Sequence, residues 1–280
     1  MPETVSRVDI PSRAENECSV AASPTIAVVI AARDAEAHLG MALDSILAQS
    51  SPPKEVIVFD DGSTDETRRI AESYRSRLPN LLVLSSTNPI GISASRNRAN
   101  ENVRSDFISV LDADDLLDED ALRRYRVALA EKPELDLLYG DTSVFSSSPS
   151  RGTLLHYPKI RSSKNGIRRV LVSPRIPMKH SSVLYRKRTF EEVGGYDETY
   201  RIKVDVELFL RFLKTESTVE KLDAVISHHR RHRNQISTRR LTGLRTYFRL
   251  TEHYEANPFL QLAFLASRSF SECAKLLLRR

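Results

Sequence analysis

Two runs of carboxylates, Asp60-Asp61-Gly62-Ser63 and Asp112-Ala113-Asp114-Asp115, hold the side chains best suited to chemistry in this chain. Carboxylates packed this closely repel one another, a cost that a cation or an array of donors must offset. Asp112 and Asp114 stand two apart, so a strand continuing through them turns both to one face. Hard oxygen ligands of this kind suit Mg²⁺ or Mn²⁺, ions that also hold substrate phosphates. Each run has a plainer reading. The first can be a turn with a helix cap, since Asp, Gly and Ser all form turns. The second continues into Asp118, Glu119 and Asp120 and can be the acidic first turn of a helix, favoured by the helix dipole. That both follow a buried strand favours ligand binding.

Those strands come from an alternating pattern. Thr25–Ala31 is a β-branched apolar run, the mark of a strand buried on both faces. Leu39, Leu43, Ile46 and Leu47 then fall at helical spacing, stopped by Ser51-Pro52-Pro53. Val56–Phe59 predicts a second strand, and Ser63 with Glu66 a capping box opening a helix to about Arg77. Leu81–Leu84 predicts a third strand, Ser93–Val103 a helix, Phe107–Leu111 a fourth strand and Leu122–Leu129 a helix. Strands alternating with helices imply an α/β fold with a mostly parallel sheet and right-handed crossovers. In such sheets ligands sit outside the carboxyl ends of strands, where both acidic runs fall.

After Tyr139 the pattern loosens, and 146–164 reads as a surface excursion. Order returns at Ser182–Tyr185, the Gly194-Gly195 turn and a helix around Glu207–Leu213. The expected organisation is a flexible tail over 1–23 and a main α/β domain over 24–237. Within that domain a nucleotide-sized half spans about 24–132 and a second half about 133–237. A basic helical extension occupies 238–280, where an apolar face could cover the core, bind a partner or rest on a bilayer.

Bulk properties exclude little. The net charge of +5 suits phosphate-bearing ligands, anionic membranes or nucleic acid alike. The aromatic interleaving expected of a single-strand platform is missing, so nucleic acid is not an expected partner. Two cysteines build neither a disulfide framework nor a thiolate metal site. The N-terminal residues lack a signal-peptide pattern, and no apolar run approaches a membrane span. The expected location is cytoplasmic, with peripheral membrane contact left open.

Seven segments, in order, make the chain resemble glycosyltransferase family 2. They are VVIAARDAEAHLGMALDSILAQS, EVIVFDDGSTDET, GISASRNRAN, FISVLDADDLL, SSVLYRKRTFEEVGGYDETY, VDVELFLR and RRHRNQIS. The resemblance implies a GT-A fold and an inverting, metal-dependent transfer of sugar from a nucleotide-sugar donor to a saccharide or lipid-linked acceptor. It implies that Asp61 binds the nucleotide base, with Ala31 and Arg33 lining that pocket and Arg96 and Asn97 closing over the nucleoside. Asp112, Asp114 and Asp115 resemble the DxD-type motif that holds ribose and the divalent metal. Asp205 matches the general base, and His232 a histidine near metal and diphosphate. Arg33-Asp34 stands where members commonly have Tyr-Asn, so either the nucleotide differs or the Arg33 guanidinium stacks on the base instead. Val204 replaces a frequent Glu, which makes Glu207 the alternative base.

Simpler roles exist for some of these residues. Asp205 can be a helix N-cap, and His232 part of a solvated basic strand end. His228 and His232 stand four apart but lack the Glu of HExxH. His180 can line an acceptor pocket or serve as a satisfied structural histidine. Competing functions are a catalytically silent nucleotide-sugar-binding module and a sugar nucleotidyltransferase. The latter wants a Gly-rich basic loop where this chain has AARDAEAH, and a dinucleotide dehydrogenase lacks its GxGxxG for the same reason.

Overall fold

The computed structural model describes residues 23–146, 148–172, 178–232 and 240–277. The expected N-terminal tail lies, apart from Ser23, outside the described residues. Strand β1 (Ile26–Ala32) leads to helix α1 (Leu39–Leu47), β2 (Glu55–Asp60) to α2 (Thr67–Ser73), and β3 (Leu81–Ser85) to α3 (Ile92–Glu101). Then come β4 (Phe107–Val110), the two-residue β5 (Leu116–Leu117) and α4 (Ala121–Glu131). The second half holds β6 (Leu137–Phe145), β7 (Thr153–Leu155), α5 (Ser163–Val172), β8 (Val183–Arg186), α6 (Lys187–Glu192), α7 (Val204–Lys214) and β9 (Val219–Arg230). Two helices follow, α8 (Arg240–Tyr254) and α9 (Pro258–Leu277).

The described strands form one sheet in the order β3-β2-β1-β4-β8-β6-β9-β5, with β7 pairing off β6. The first four are mutually parallel. Antiparallel β8 then joins β4 to β6, β6 runs parallel to β9, and β9 holds β5 antiparallel. This is an α/β fold of the expected class. β1 is buried on both faces: Ile26, Val28 and Ile30 pack toward α1 and α4, while Ala27 and Val29 join Phe209 and Phe212 of α7. That two-sided burial explains the unbroken apolar run.

Several boundaries moved. α2 begins at Thr67, not at a Ser63–Glu66 box. The Ser63 hydroxyl is committed to Asp60 and accepts from the Asp34 N–H, while Asp65 receives the Thr67 N–H at 3.0 Å. The stretch read as a surface excursion contains β7 and the start of α5. β6 is buried at all nine positions despite Gly140, Asp141, Thr142 and Ser143. Its polar groups are partnered: Asp141 meets Lys221 at 3.0 Å and His156 at 2.7 Å, and Thr142 meets Ser227 at 3.3 Å. Buried polar groups persist where such partners exist.

Helices α8 and α9 dock on α5 and α7. Tyr247, Leu250 and Phe264 join Val170, Leu171, Val206, Leu210 and Leu213 in a third buried cluster. The basic extension therefore covers the core with part of its apolar surface. No described helix is long and apolar enough to cross a membrane.

Candidate active site

Both acidic runs sit at carboxyl ends of parallel strands, β2 and β4, which flank β1 in the sheet, but they do different work. Beyond β4 the chain turns tightly, with the Asp115 N–H donating to the Asp112 carbonyl at 3.0 Å. The turn brings one carboxylate oxygen each from Asp112, Asp114 and Asp115 within 4.8 Å of one another. These residues are not the first turn of a helix, because β5 intervenes and α4 starts only at Ala121, with Asp120 as its N-cap.

Each carboxylate of the cluster has its own surroundings. Asp112 Oδ1 receives the Arg96 guanidinium at 2.6 Å and faces His180 Nδ1 at 3.3 Å. Burial opposes the charge on Asp112, yet Arg96 and His180 outweigh it and hold the carboxyl well below its usual range. Asp114 Oδ2 lies 2.8 Å from His232 Nε2. Its carboxyl is pushed upward by burial and by the charges of Asp115 and Asp112. Asp115 is fully buried and receives the Ser181 hydroxyl at 2.6 Å, His229 Nδ1 at 2.8 Å and the Arg230 N–H at 3.0 Å. Asp115 thus ties the end of β4 to β9 and to the turn before β8.

The first run organises a loop. Asp60 accepts from Ser63. Asp61, 5% exposed, receives the Ile90 N–H at 2.7 Å and the Gly91 N–H at 3.1 Å. Gly62 adopts φ 63°, and a Cβ there would lie 2.9 Å from backbone atoms of Asn88 and Pro89, so glycine is required for this approach. Asp61 thereby fixes the entry of α3, the helix that delivers Arg96 to Asp112. Asn97, one residue on, clamps the turn after α6: its Oδ1 receives the Tyr196 N–H at 2.8 Å and its Nδ2 donates to the Tyr196 carbonyl at 2.9 Å. Ala31 is half-buried on β1 beside Phe59 of β2. Arg33 stands exposed just past β1, 3.7 Å from Asp34.

The N-terminus of α7 faces the cluster. Its N-cap is Lys203, at φ 57°, and Asp205 lies in the first turn without a capping bond. The half-buried Asp205 carboxylate receives no hydrogen bond from a described residue. It acts electrostatically on Arg96, Lys179, His180 and Tyr196, and all four also feel Asp112. Asp205 and Asp112 therefore bear on the same set of side chains. Glu207 is otherwise engaged: buried, it forms a bidentate pair with Arg211 at 2.8 and 2.6 Å and lies 3.4 Å from the Tyr254 hydroxyl. His180 bridges Asp112 and the Tyr196 hydroxyl, the latter at 2.8 Å. Burial and the neighbouring Arg96 lower its pKa, which keeps the ring neutral at pH 7.

The structure adds residues that sequence reasoning did not single out. Ser181, His229 and Arg230 hold Asp115. The Lys179 ammonium, raised by Asp115, Asp112 and Asp205 against the opposing effect of burial, sits within reach of both acidic walls. His38, at the start of α1, places its ring 4.9 Å from that of His232. The basic run SHHRRHR was the available signal for two of these, but only the folded hydrogen bonds show which of its members reach the aspartates: His229 and Arg230 meet Asp115, and His232 meets Asp114.

Comparison with known proteins agrees with this arrangement. Residues 27–194 match the family described as Glycosyl transferase family 2. A "PGL/p-HBAD biosynthesis glycosyltransferase" of Mycobacterium bovis (strain BCG / Pasteur 1173P2) is 27% identical over 206 residues, 73% of this chain and 76% of that protein. The "Succinoglycan biosynthesis protein ExoU" of Rhizobium meliloti (strain 1021) is 27% identical over 274 residues, covering 93% and 75%. Among solved structures, S. aureus TarS 1-349 in complex with UDP-GlcNAc superposes with a TM-score of 0.67 at 19% identity, covering 89% of this chain and 73% of that one. The mannosyltransferase PcManGT of Pyrobaculum calidifontis, in complex with GDP-Man and Mn2+, gives 0.64 at 16% identity, covering 90% and 74%. Both likenesses are of fold, the GT-A architecture. With strand-end acids, topology and a family match over more than half its length in agreement, the chain belongs to glycosyl transferase family 2 and is a glycosyltransferase.

Proposed function

We propose that this enzyme transfers a sugar, with inversion, from a nucleotide-diphosphate donor to a hydroxyl of a saccharide or lipid-linked acceptor in polysaccharide or glycoconjugate assembly. One observation carries the reading: Asp205, a carboxylate without a described hydrogen bond, acts on the same Arg96, Lys179 and His180 side chains as Asp112 of the acidic cluster. Sugar transfer needs two such acidic groups close to one another, a base for the acceptor and a means of holding diphosphate charge on the donor. The names of the two relatives, both of glycoconjugate or polysaccharide biosynthesis, support the acceptor class. UDP-GlcNAc and GDP-Man in the fold relatives support the donor class.

The donor set of the cluster fits a hard divalent cation. Three carboxylates converge, Asp114 is strained by its like-charged neighbours, and an imidazole stands beside it. Asp114 with His232 would hold Mg²⁺ or Mn²⁺, and Asp115 would add charge while its oxygens keep the turn in place. Bound there, the ion would offset charge on the departing diphosphate. Asp112, oriented by Arg96 and His180, presents its remaining oxygen to the ribose. Asp61, Ala31 and Arg33 form the base end of the site, with Arg33 exposed and able to lay its guanidinium on the base. Arg96 and Asn97 secure the nucleoside side, Asn97 through the Tyr196 turn. The nucleotide half is 24–132 and the acceptor half 133–237. Asp205 takes the proton from the acceptor hydroxyl as that oxygen attacks the anomeric carbon, a role worth about 10²–10⁴-fold in rate.

The test uses nucleotide-sugars and simple acceptors with Mn²⁺ or Mg²⁺, reading nucleoside diphosphate release with and without chelator. Asp205→Asn is expected to keep donor affinity by calorimetry while transfer falls by at least about 10²-fold. Asp114→Asn is expected to lose the metal-dependent part of donor binding. Transfer by Asp205→Asn at the parent rate would refute the assignment.

A further inference from the structure

Helix α9 leaves a face uncovered. Phe264 packs inward, but Phe259, Leu262 and Phe270 are 82, 69 and 78% exposed. With the exposed Ala263 and Ala266 they recur at helical spacing, i, i+3, i+4, i+7 and i+11, and form one apolar stripe about three turns long. The other large exposed hydrophobics, such as Met41, Leu82, Ile90 and Val127, are only 37 to 51% open and lie apart in the chain. A contiguous patch of this kind marks an interaction surface.

Charge decides what covers it. Residues 240–280 carry seven basic and three acidic side chains, so this segment holds four of the chain's five net positive charges. A second copy docking through the stripe would bring two such segments together and repel itself. An anionic lipid surface attracts the same charge and accepts the aromatic and aliphatic side chains into its headgroup region. We infer that α9 seats this enzyme on an anionic phospholipid bilayer, lying along the surface without crossing it.

The attachment bears on the acceptor. α9 and α8 pack on α7 through Phe264 and Leu250, and the Tyr254 hydroxyl lies 3.4 Å from Glu207 of α7. The membrane-facing element thus abuts the helix whose first turn carries Asp205. A lipid-linked acceptor would reach the site from that side, a consequence that rests on the glycosyl-transfer reading, whereas bilayer attachment does not.

The experiment is sedimentation of the full chain with vesicles of phosphatidylcholine alone or with phosphatidylglycerol, and without any sugar substrate. Binding is expected on the anionic vesicles, weakened about tenfold or more when phosphatidylglycerol is omitted and again at high salt. The triple variant Phe259→Ser/Leu262→Ser/Phe270→Ser is expected to bind at least about tenfold more weakly with an unchanged thermal melt, because the three side chains are exposed. Val127→Ser, an exposed apolar position on α4, serves as control and is expected to bind as the parent does. Equal binding by parent and triple variant overturns the inference. So does a lack of binding to anionic vesicles, or a dimer by analytical ultracentrifugation that the triple variant abolishes. Because no transfer is measured, failure here leaves the proposed reaction standing, and failure of the reaction leaves the attachment standing.

Discussion

Replacing Arg96 by Met probes how the donor side is held together. The Arg96 side chain is 9% exposed and that of Asp112 is 26% exposed, with 2.6 Å between them. The guanidinium also lies 5.5 Å from the centroid of the Tyr196 ring. Methionine keeps the apolar stem but leaves the partly buried Asp112 with His180 and the charge of Lys179 alone to offset its burial. Removing one partner of a buried pair costs about 3–5 kcal/mol, and the partial exposure of Asp112 argues for the low end. Adding roughly 0.5–1 kcal/mol for the ring contact gives a loss near ~3–4 kcal/mol, or a fall in Tm of about 10 °C.

The pH dependence separates this electrostatic loss from a packing defect. In the parent the Asp112 carboxyl is held below its unfolded value of about 4. Its contribution to stability is therefore complete above that pH and disappears as pH falls through the depressed folded value. In Arg96→Met burial is opposed only by His180 and Lys179, so the folded value rises and Asp112 protonates at a higher pH than in the parent. The gap between parent and variant is widest at pH 7 and narrows below about pH 5. Urea melts from pH 7 to pH 4.5, with chelator present, measure it. A gap constant over that range would refute the reasoning. So would strict additivity of Arg96→Met and Asp112→Asn, since a direct pair predicts coupling of about 1–3 kcal/mol.

Two further predictions address the scaffold. Gly195→Ala forces a side chain into φ 68° and to within 2.9 Å of Asn97 Oδ1, so a destabilisation of about 1–3 kcal/mol with weaker donor affinity is expected by urea melts and calorimetry. Asp115→Asn offers an amide N–H₂ where an oxygen received Ser181 or the His229/Arg230 pair. The cost is about 2–4 kcal/mol of stability, read by thermal melts, in contrast to Asp114→Asn, which is expected to change binding far more than stability.

The donor-side half was readable because its strands are apolar runs and its loops carry unusual chemistry. Val28–Ile30, Val56–Phe59 and Phe107–Val110 announce themselves by composition, and the acids that follow them need no partner to be noticed. The other half hides for a physical reason. β6, buried throughout, and β9, buried in part, are built partly of Asp141, Thr142, Lys221 and Ser227, each satisfied by a residue far away in sequence. An apolar-run criterion cannot find a strand whose polar groups are cancelled pairwise after folding. The Ser63 cap failed similarly, because Asp60 and Asp34 compete for its hydroxyl. The resemblance already favoured Asp205 over Glu207; what the sequence does not show is that Arg211 neutralises Glu207, two residues on along α7, while Asp205 has no described hydrogen bond.

The bonds to Asp115 bear on the order in which this protein matures. Its donors come from Ser181, His229 and Arg230, the last of them 115 residues downstream. A nascent chain released only through β5 carries all three aspartates, and Arg96 to meet Asp112, but none of the donors that hold Asp115. Assembly of the carboxylate cluster is thereby completed only after β9 has emerged from the ribosome and paired. A chain halted before that point would carry the acidic motif without the bonds that fix Asp115 in place.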